Sequence, residues 1–149
     1  YRVGSTLIVS RLINDRFPDY QSVIPPSSPA KAILNKSELI GTMKRLDLYS
    51  NKTTRLGRFL LAGNVMKVHA EDLDFDNQAD ESLHCLYEGE DLEIGFNVSL
   101  MMDIIANVDT DDVTLELESP GRATVVLPSE QPDGEDILML LMPVMLSSN

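Results

Sequence analysis

Leu92-Glu93-Ile94-Gly95-Phe96-Asn97-Val98-Ser99 passes from an apolar strand run, Leu92 to Phe96, straight into a helix start. Asn97 or Ser99 supplies the cap, because a short side-chain oxygen can accept a hydrogen bond from an amide of the first helical turn. The helix then runs from Val98 to about Asn107 and is apolar on most sides, which predicts deep burial. The same junction occurs earlier. Ala30 to Leu34 is a short strand, Asn35 or Ser37 is the cap, and the helix continues to Tyr49. Its buried face holds Leu39, Ile40, Met43 and Leu46, while Ser37, Gly41, Lys44 and Arg45 point away.

Working outward, each junction leads into three strands. After the first come Leu56 to Ala62, the Gly63-Asn64 hairpin turn, Val65 to Ala70, an acidic loop from Glu71 to Glu81, and a strand from Ser82 to Tyr87. After the second come Val113 to Leu117, the Pro120-Gly121 turn, Ala123 to Leu127, and a final strand from Leu138 to Leu146. The order repeats with a period of about sixty residues, which predicts an internal duplication. Two such units give an α+β fold: two helices on one side of two antiparallel sheets. Pro143 cannot donate to a ladder, so that end of the final strand lies at an edge or leaves the sheet. Its methionines make soft apolar surface. Two readings stand for this ending: a core strand that frays, or a groove wall beginning at Met142 that accepts a partner's apolar side chains. A polar tail, Ser147-Ser148-Asn149, follows.

Upstream, Ser5 to Leu12 reads as a strand. Pro18, Pro25, Pro26 and Pro29 then forbid a helix and favour an extended connector. Residues 1–15 are therefore expected to be the last strand of a preceding domain, 16–29 a linker, and 30–149 the domain itself. The chain begins in mid-pattern at Tyr1-Arg2-Val3 and reads as part of something longer.

The net charge of −12 is unevenly spread, with ten of the 12 Lys and Arg in residues 1–58. That split suggests one face for an anion and another for a basic partner or for solubility. The single cysteine, Cys85, rules out a disulfide framework and points to a reducing, cytoplasmic setting. No apolar run is long enough for a membrane span.

Three stretches carry a resemblance. Arg16-Phe17-Pro18-Asp19-Tyr20, followed by Val23-Ile24-Pro25, resembles the linker into the last domain of bacterial β sliding clamps, the processivity subunits of DNA polymerase III. Glu93 to Ser99 resembles that family's strand-to-helix junction, and Leu141-Met142-Pro143-Val144-Met145-Leu146 its Met-Pro ending. They occur in order along essentially the whole chain. The loop Ala70 to Phe75 and the ending look most like clamps of the Bacteroidetes type.

The resemblance implies the third domain of a three-domain chain, two chains closing head to tail around duplex DNA with helices lining the hole. It implies no catalysis, metal or cofactor. The matching peptide-groove positions are Pro18, Ser22, Val23, Asn97, Leu100, Leu140, Met142, Pro143, Val144 and Met145. A groove of this kind takes an extended peptide with aliphatic and aromatic anchors, often with a Gln and a Leu-Phe-like ending. The family often has arginine where Ser22 and Met145 stand, so the polar half of recognition does not carry over. DNA-facing candidates are Lys36, Lys44, Arg45, Lys52 and Arg55, since sliding needs sequence-blind phosphate attraction. The second helix offers Ser99, Asp103 and Asn107 and no basic residue. Leu48 and Tyr49 match the apolar centre of the ring interface, and Asp80 and Glu81 its acidic cluster. The implied partners are duplex DNA, the polymerase III catalytic subunit, the clamp loader and other motif-bearing proteins, with a homodimer in the full-length chain. The fragment alone is expected not to close a ring.

Other chemistries fit less well. Asp72, Asp74, Asp76, Gln78 and Asp80 alternate like a calcium loop, but Asn77 and Leu83 occupy positions that need Gly and Glu. His69 and His84 lack a zinc pattern. No nucleophile elbow accompanies the serines. Asn35, Asn51 and Asn97 begin Asn-x-Ser/Thr sequons, which leaves a secreted adhesion module as the alternative.

Overall fold

Asn35 ends one strand and caps one helix, and Asn97 does the same in the second unit. The computed structural model describes residues 1–26 and 28–146, so Ser27 of the expected linker and the polar tail Ser147-Ser148-Asn149 lie outside the described residues. Strand β3 (Ala30–Asn35) runs into helix α1 (Lys36–Tyr49), and β8 (Leu92–Asn97) runs into α2 (Val98–Ala106). The Asn35 Oδ1 accepts from the Glu38 amide at 3.1 Å, and the Asn97 Oδ1 from the Leu100 amide at 3.0 Å. Each cap also reaches into the other unit. Asn35 Nδ2 donates to the Asp111 carbonyl at 3.3 Å, and Asn97 Nδ2 to the Thr54 carbonyl at 3.1 Å. The first helical amides follow the same rule, Lys36 to Asp111 at 2.9 Å and Val98 to Arg55 at 2.8 Å. Both helix starts are therefore sewn to the entry of a strand in the opposite unit.

The sheets are shared in the same reciprocal way. From the first unit come β4 (Leu56–Ala62), β5 (Val65–Asp72), β6 (Asn77–His84) and β7 (Leu86–Glu88); from the second, β9 (Asp112–Leu117), β10 (Thr124–Pro128) and β11 (Met139–Leu141). One sheet has the order β6-β5-β4-β8 and the other β11-β10-β9-β3-β7, with antiparallel pairing throughout. Each sheet takes three successive strands of one unit and adds the first strand of the other, and β7 lies beyond β3 at the edge of the five-stranded sheet. The chain then changes sheets at the end of each unit. After β6 it turns at Cys85 into β7, which pairs with β3 of the other sheet. After β11 it passes Met142-Pro143, and Val144 forms an isolated bridge to Gly95 of β8. The duplication read in the sequence thus extends to the path of the crossover.

The core lies between the sheets and helices. Leu39, Met43 and Leu46 of α1 are buried, as are Val98, Met101 and Ile105 of α2, against Phe59, Leu61, Met66, Phe96 and Leu115. Phe59 and Phe96 meet edge to face at 5.3 Å. Each such side chain contributes about 1.5–3 kcal/mol through removal of apolar surface from water. Ile40 is only half-buried. The second helix is less covered than its composition suggests, since Leu100 is 54% exposed.

Four expected elements differ, three of them within the domain. The acidic stretch Glu71–Glu81 is mostly strand rather than loop: β5 extends through Asp72 and β6 starts at Asn77, paired along its whole length. Cross-strand pairing there overrides the weak strand preference of Asp and Asn. The expected strand Ser82–Tyr87 is split between two sheets at Cys85. The long final strand ends at Leu141, because Pro143 has no amide to continue the ladder.

The expected strand Ser5–Leu12 is reduced to a small hairpin, β1 (Arg2–Val3) with β2 (Thr6–Leu7), and Ile8 to Leu12 are exposed without regular structure. A strand without a neighbouring sheet has no ladder to join. The hydrogen bonds of residues 1–26 stay within that segment, among the described residues.

Candidate partner-docking and nucleic-acid surfaces

The groove positions fall into two groups. One is assembled around β8. The Val144 amide donates to the Gly95 carbonyl at 2.8 Å, which lays the Met-Pro ending beside the strand that feeds α2. Asn97 and Leu100 are the cap and first turn of that helix. Leu140, Pro143 and Val144 are half-buried, while Leu100, Met142 and Met145 are exposed at 54%, 62% and 72%. These three large apolar side chains lie at the surface rather than in the core. Beneath them, Leu141 is buried at 3% exposure and pairs with Thr124. Of the ending, Leu141 is core and Met142 is exposed. The division falls between Leu141 and Met142.

The second group is the linker. Tyr20–Val23 forms one 3-10 turn, in which the Ser22 hydroxyl donates to the Asp19 carbonyl at 2.7 Å. Phe17 and Tyr20 stack edge to face at 6.4 Å. Pro18, Ser22 and Val23 are exposed, and no hydrogen bond joins them to the β8 group among the described residues.

Gly95 was not singled out from the sequence as a groove residue, yet the ending rests on it. A Cβ at this position would stand 2.6 Å from the Val144 oxygen and 2.8 Å from Leu146 Cδ2. The available signal was a glycine inside a strand, which marks close approach of another backbone.

The basic residues divide by what they already hold. Lys36 Nζ donates to the Val108 carbonyl. Arg55 Nη1 binds Asp47 at 2.6 Å. Arg45 grips Glu81 with two nitrogens, at 2.5 and 2.6 Å. Lys52 reaches the Asp47 and Leu48 carbonyls at 3.2 and 3.3 Å, at the end of α1. Lys44 is exposed and without a partner among the described residues.

Leu48 and Tyr49 are exposed at 67% and 41% on the last turn of α1. The following loop is tied to the β5–β6 hairpin: the Asn51 amide donates to the Glu71 carbonyl at 3.2 Å, and Asn51 Nδ2 reaches Asp72 and Asp74 at 3.4 Å. Asp80 lies on the outer side of β6, 2.9 Å from His69 Nδ1, and Glu81 on the inner side toward α1. The alternating aspartates do not converge, and no metal-binding cluster occurs among the described residues.

This reciprocal two-sheet arrangement has known relatives. A family model described as DNA polymerase III beta subunit, C-terminal domain, matches residues 21–144. The chain belongs to that family. The beta sliding clamp of Vibrio cholerae is 31% identical over 144 residues, 97% of this chain and 38% of that protein. The beta sliding clamp of Escherichia coli K12 is 32% identical over 116 residues, 77% of this chain and 31% of its own length. Among solved structures, the DNA polymerase sliding clamp of Pseudomonas aeruginosa superposes with a TM-score of 0.85 at 28% identity, covering 92% of this chain and 36% of that one. The DNA polymerase III beta subunit of Thermotoga maritima gives 0.84 at 26% identity, with the same coverage. The chain thus spans well under half the length of these clamps. The expected α+β clamp fold holds, and the adhesion-module alternative finds no support among the relatives. Two of the three sequons are the clamp domain's helix caps, Asn35 and Asn97.

Proposed function

We propose that this chain is the C-terminal domain of a DNA polymerase processivity factor: one arc of a ring that surrounds duplex DNA, slides on it, and docks polymerase and other replication proteins. Residues 1–15 belong to the preceding domain, 16–29 to the linker, and 30–149 to this one. The domain performs no bond-making. Its chemistry is peptide capture on a mostly apolar surface, with the linker forming one wall and the ending the other. The observation that best supports this reading is the Val144–Gly95 bridge, which holds the Met-Pro ending against β8, the strand whose last residue, Asn97, caps α2. On the helix side, Lys44 and Lys52 are best placed to meet phosphates. The ring is closed through Leu48, Tyr49, Asp80 and Glu81 by another protomer. The partners are the polymerase III catalytic subunit, the clamp loader and other motif-bearing proteins in the cytoplasm. No helix of the described residues is long and apolar enough to cross a membrane.

The test is an NMR titration of the labelled chain with a short peptide carrying a Gln and a Leu-Phe ending. Shifts confined to Val23, Leu100 and Leu140 to Met145 are expected. A flat titration, repeated flat with the preceding domain attached, would remove peptide docking from the reading.

A further inference from the structure

On the outer face of the four-stranded sheet, one row of paired residues runs inward from the Met-Pro ending. Val144 bridges Gly95, Gly95 pairs with Arg58, and Arg58 pairs with His69. Beside this row lies a cavity of about 310 Å³. It is lined by Leu56, Arg58, His69 and Glu71 of the sheet and by Leu73 and Asp74 of the turn after β5. Leu56 joins the cavity to the ending. Its Cδ1 and Leu146 Cδ2 both lie over Gly95, 3.1 and 2.8 Å from the point where a Cβ would stand.

The charges in this cavity do not cancel. Arg58 Nη1 already holds Glu93 at 2.9 Å, and His69 Nδ1 lies 2.9 Å from Asp80 Oδ1. Two carboxylates are left over. Glu71 has only His69 Nε2, at 3.8 Å, within ion-pair reach among the described residues. The Asp74 carboxylate accepts only a long 3.4 Å bond from Asn51 Nδ2, among the described residues. The apolar part of the lining is Leu56 and the exposed Leu73. Two carboxylates without a cation, set beside two leucines, match a side chain with an apolar stem and a cationic head. Lysine and arginine have this form and lay the stem on apolar surface while the head stays in water.

We propose that this cavity is a further subsite of the peptide-docking surface, which takes a lysine or arginine side chain flanking the apolar motif of the partner. Leu56 and Leu73 receive the stem, and Glu71 and Asp74 receive the head. A peptide lying along the ending reaches the cavity by continuing past Leu146 and Leu56. Because the ion pairs form at a wet rim, they select among partners more than they add affinity. The inference rests on the reading that the Met-Pro ending docks a peptide.

The experiment measures peptide affinity by fluorescence anisotropy in the full-length protomer that carries this domain. The probes are short peptides with a Gln and a Leu-Phe ending, carrying a pair of lysines on one side or the other of the motif. Matched peptides carry glutamine in place of each lysine. One lysine-flanked peptide is expected to bind a few-fold tighter than its glutamine counterpart. That gain should vanish in Glu71→Gln/Asp74→Asn, while the glutamine peptides bind this variant as they bind the wild type. The comparison variant, Glu130→Gln/Asp133→Asn, removes the same charge from exposed positions in the loop between β10 and β11, and it should keep the gain. All four positions lie at the surface, so the fold tolerates the changes. An equal loss in both double variants would show diffuse attraction by an acidic chain and overturn the proposal. So would the absence of any gain from lysine on either side while the glutamine peptides still bind, and the groove reading would then stand. If the glutamine peptides do not bind at all, the groove reading fails and the subsite falls with it.

Discussion

The Val144 amide meets the Gly95 carbonyl at 2.8 Å, and it does so over a residue that has no side chain to obstruct it. A Cβ on Gly95 would fall 2.6 Å from a backbone oxygen, a clash that rotamer changes cannot relieve. Gly95→Ala should therefore lift the ending off β8 while β8 itself stays paired with β4. The expected cost is about 1–3 kcal/mol, typical of overpacking. Backbone shifts concentrated at Met142 to Leu146, with weakened peptide binding, would bear this out. A variant that binds peptide normally would show that the bridge does not shape the groove.

The two caps should be energetically similar, because each makes one capping bond and one bond to a carbonyl of the other unit, to which Asn35 adds only a long 3.4 Å contact with Asp112 Oδ1. Asn35→Ala and Asn97→Ala each remove an N-cap acceptor and a donor to a carbonyl of the other unit. Each should cost about 1 kcal/mol, within the usual range for caps. Urea midpoints of the two variants give the comparison. A large difference would mean that the cross-unit bonds, and not the caps, dominate one of the sites.

Much of this was legible in the sequence because the signals were local. Asn35 and Asn97 announce their helices whatever surrounds them, and the repeated order of elements gives the fold class. The residues that misled owe their structure to distant partners. Asn77 to Glu81 is polar on both faces and becomes strand only because β5 offers a ladder beside it. The exposed helix face of Lys44 and Arg45 reads as one basic patch, yet one of the two side chains is claimed by Glu81, which is 36 residues away. The sequence marks Pro143 as a break but does not reveal that the chain beyond it crosses to the other sheet.

Alkaline pH should weaken the fold through Cys85 and Tyr87. Burial pushes the Cys85 thiol up. Burial also raises Tyr87, with Asp91, Cys85 and Glu90 adding to the shift, and its hydroxyl donates to the Glu90 carbonyl at 2.6 Å. Both folded values exceed the unfolded ones, which are about 8.5 for a thiol and about 10 for a phenol. The stabilisation is complete below the unfolded values and is lost as pH rises toward the folded ones. Urea midpoints should be level through neutrality and fall above pH of about 8.5, and Cys85→Ala should remove the first part of the fall. An unchanged midpoint up to pH of about 10 would contradict the burial argument. Cys85 should also react slowly with thiol reagents until the chain unfolds.

The boundary between Leu141 and Met142 separates a buried from an exposed apolar side chain, and two adjacent substitutions measure whether it also separates stability from docking. Leu141 is 3% exposed and packs with the core, so Leu141→Ala should cost about 2–5 kcal/mol, as expected for a buried leucine. Met142 is 62% exposed, and Met142→Ala should change stability by no more than about 0.5 kcal/mol. On peptide affinity Met142→Ala should cost more than about 1 kcal/mol if Met142 anchors a bound side chain. Thermal melts and peptide titrations on the same two variants read both quantities. If Met142→Ala destabilises the fold as much as Leu141→Ala and leaves affinity untouched, the Met-Pro ending is core that happens to be exposed. The docking surface would then have to lie along the linker and the first turn of α2.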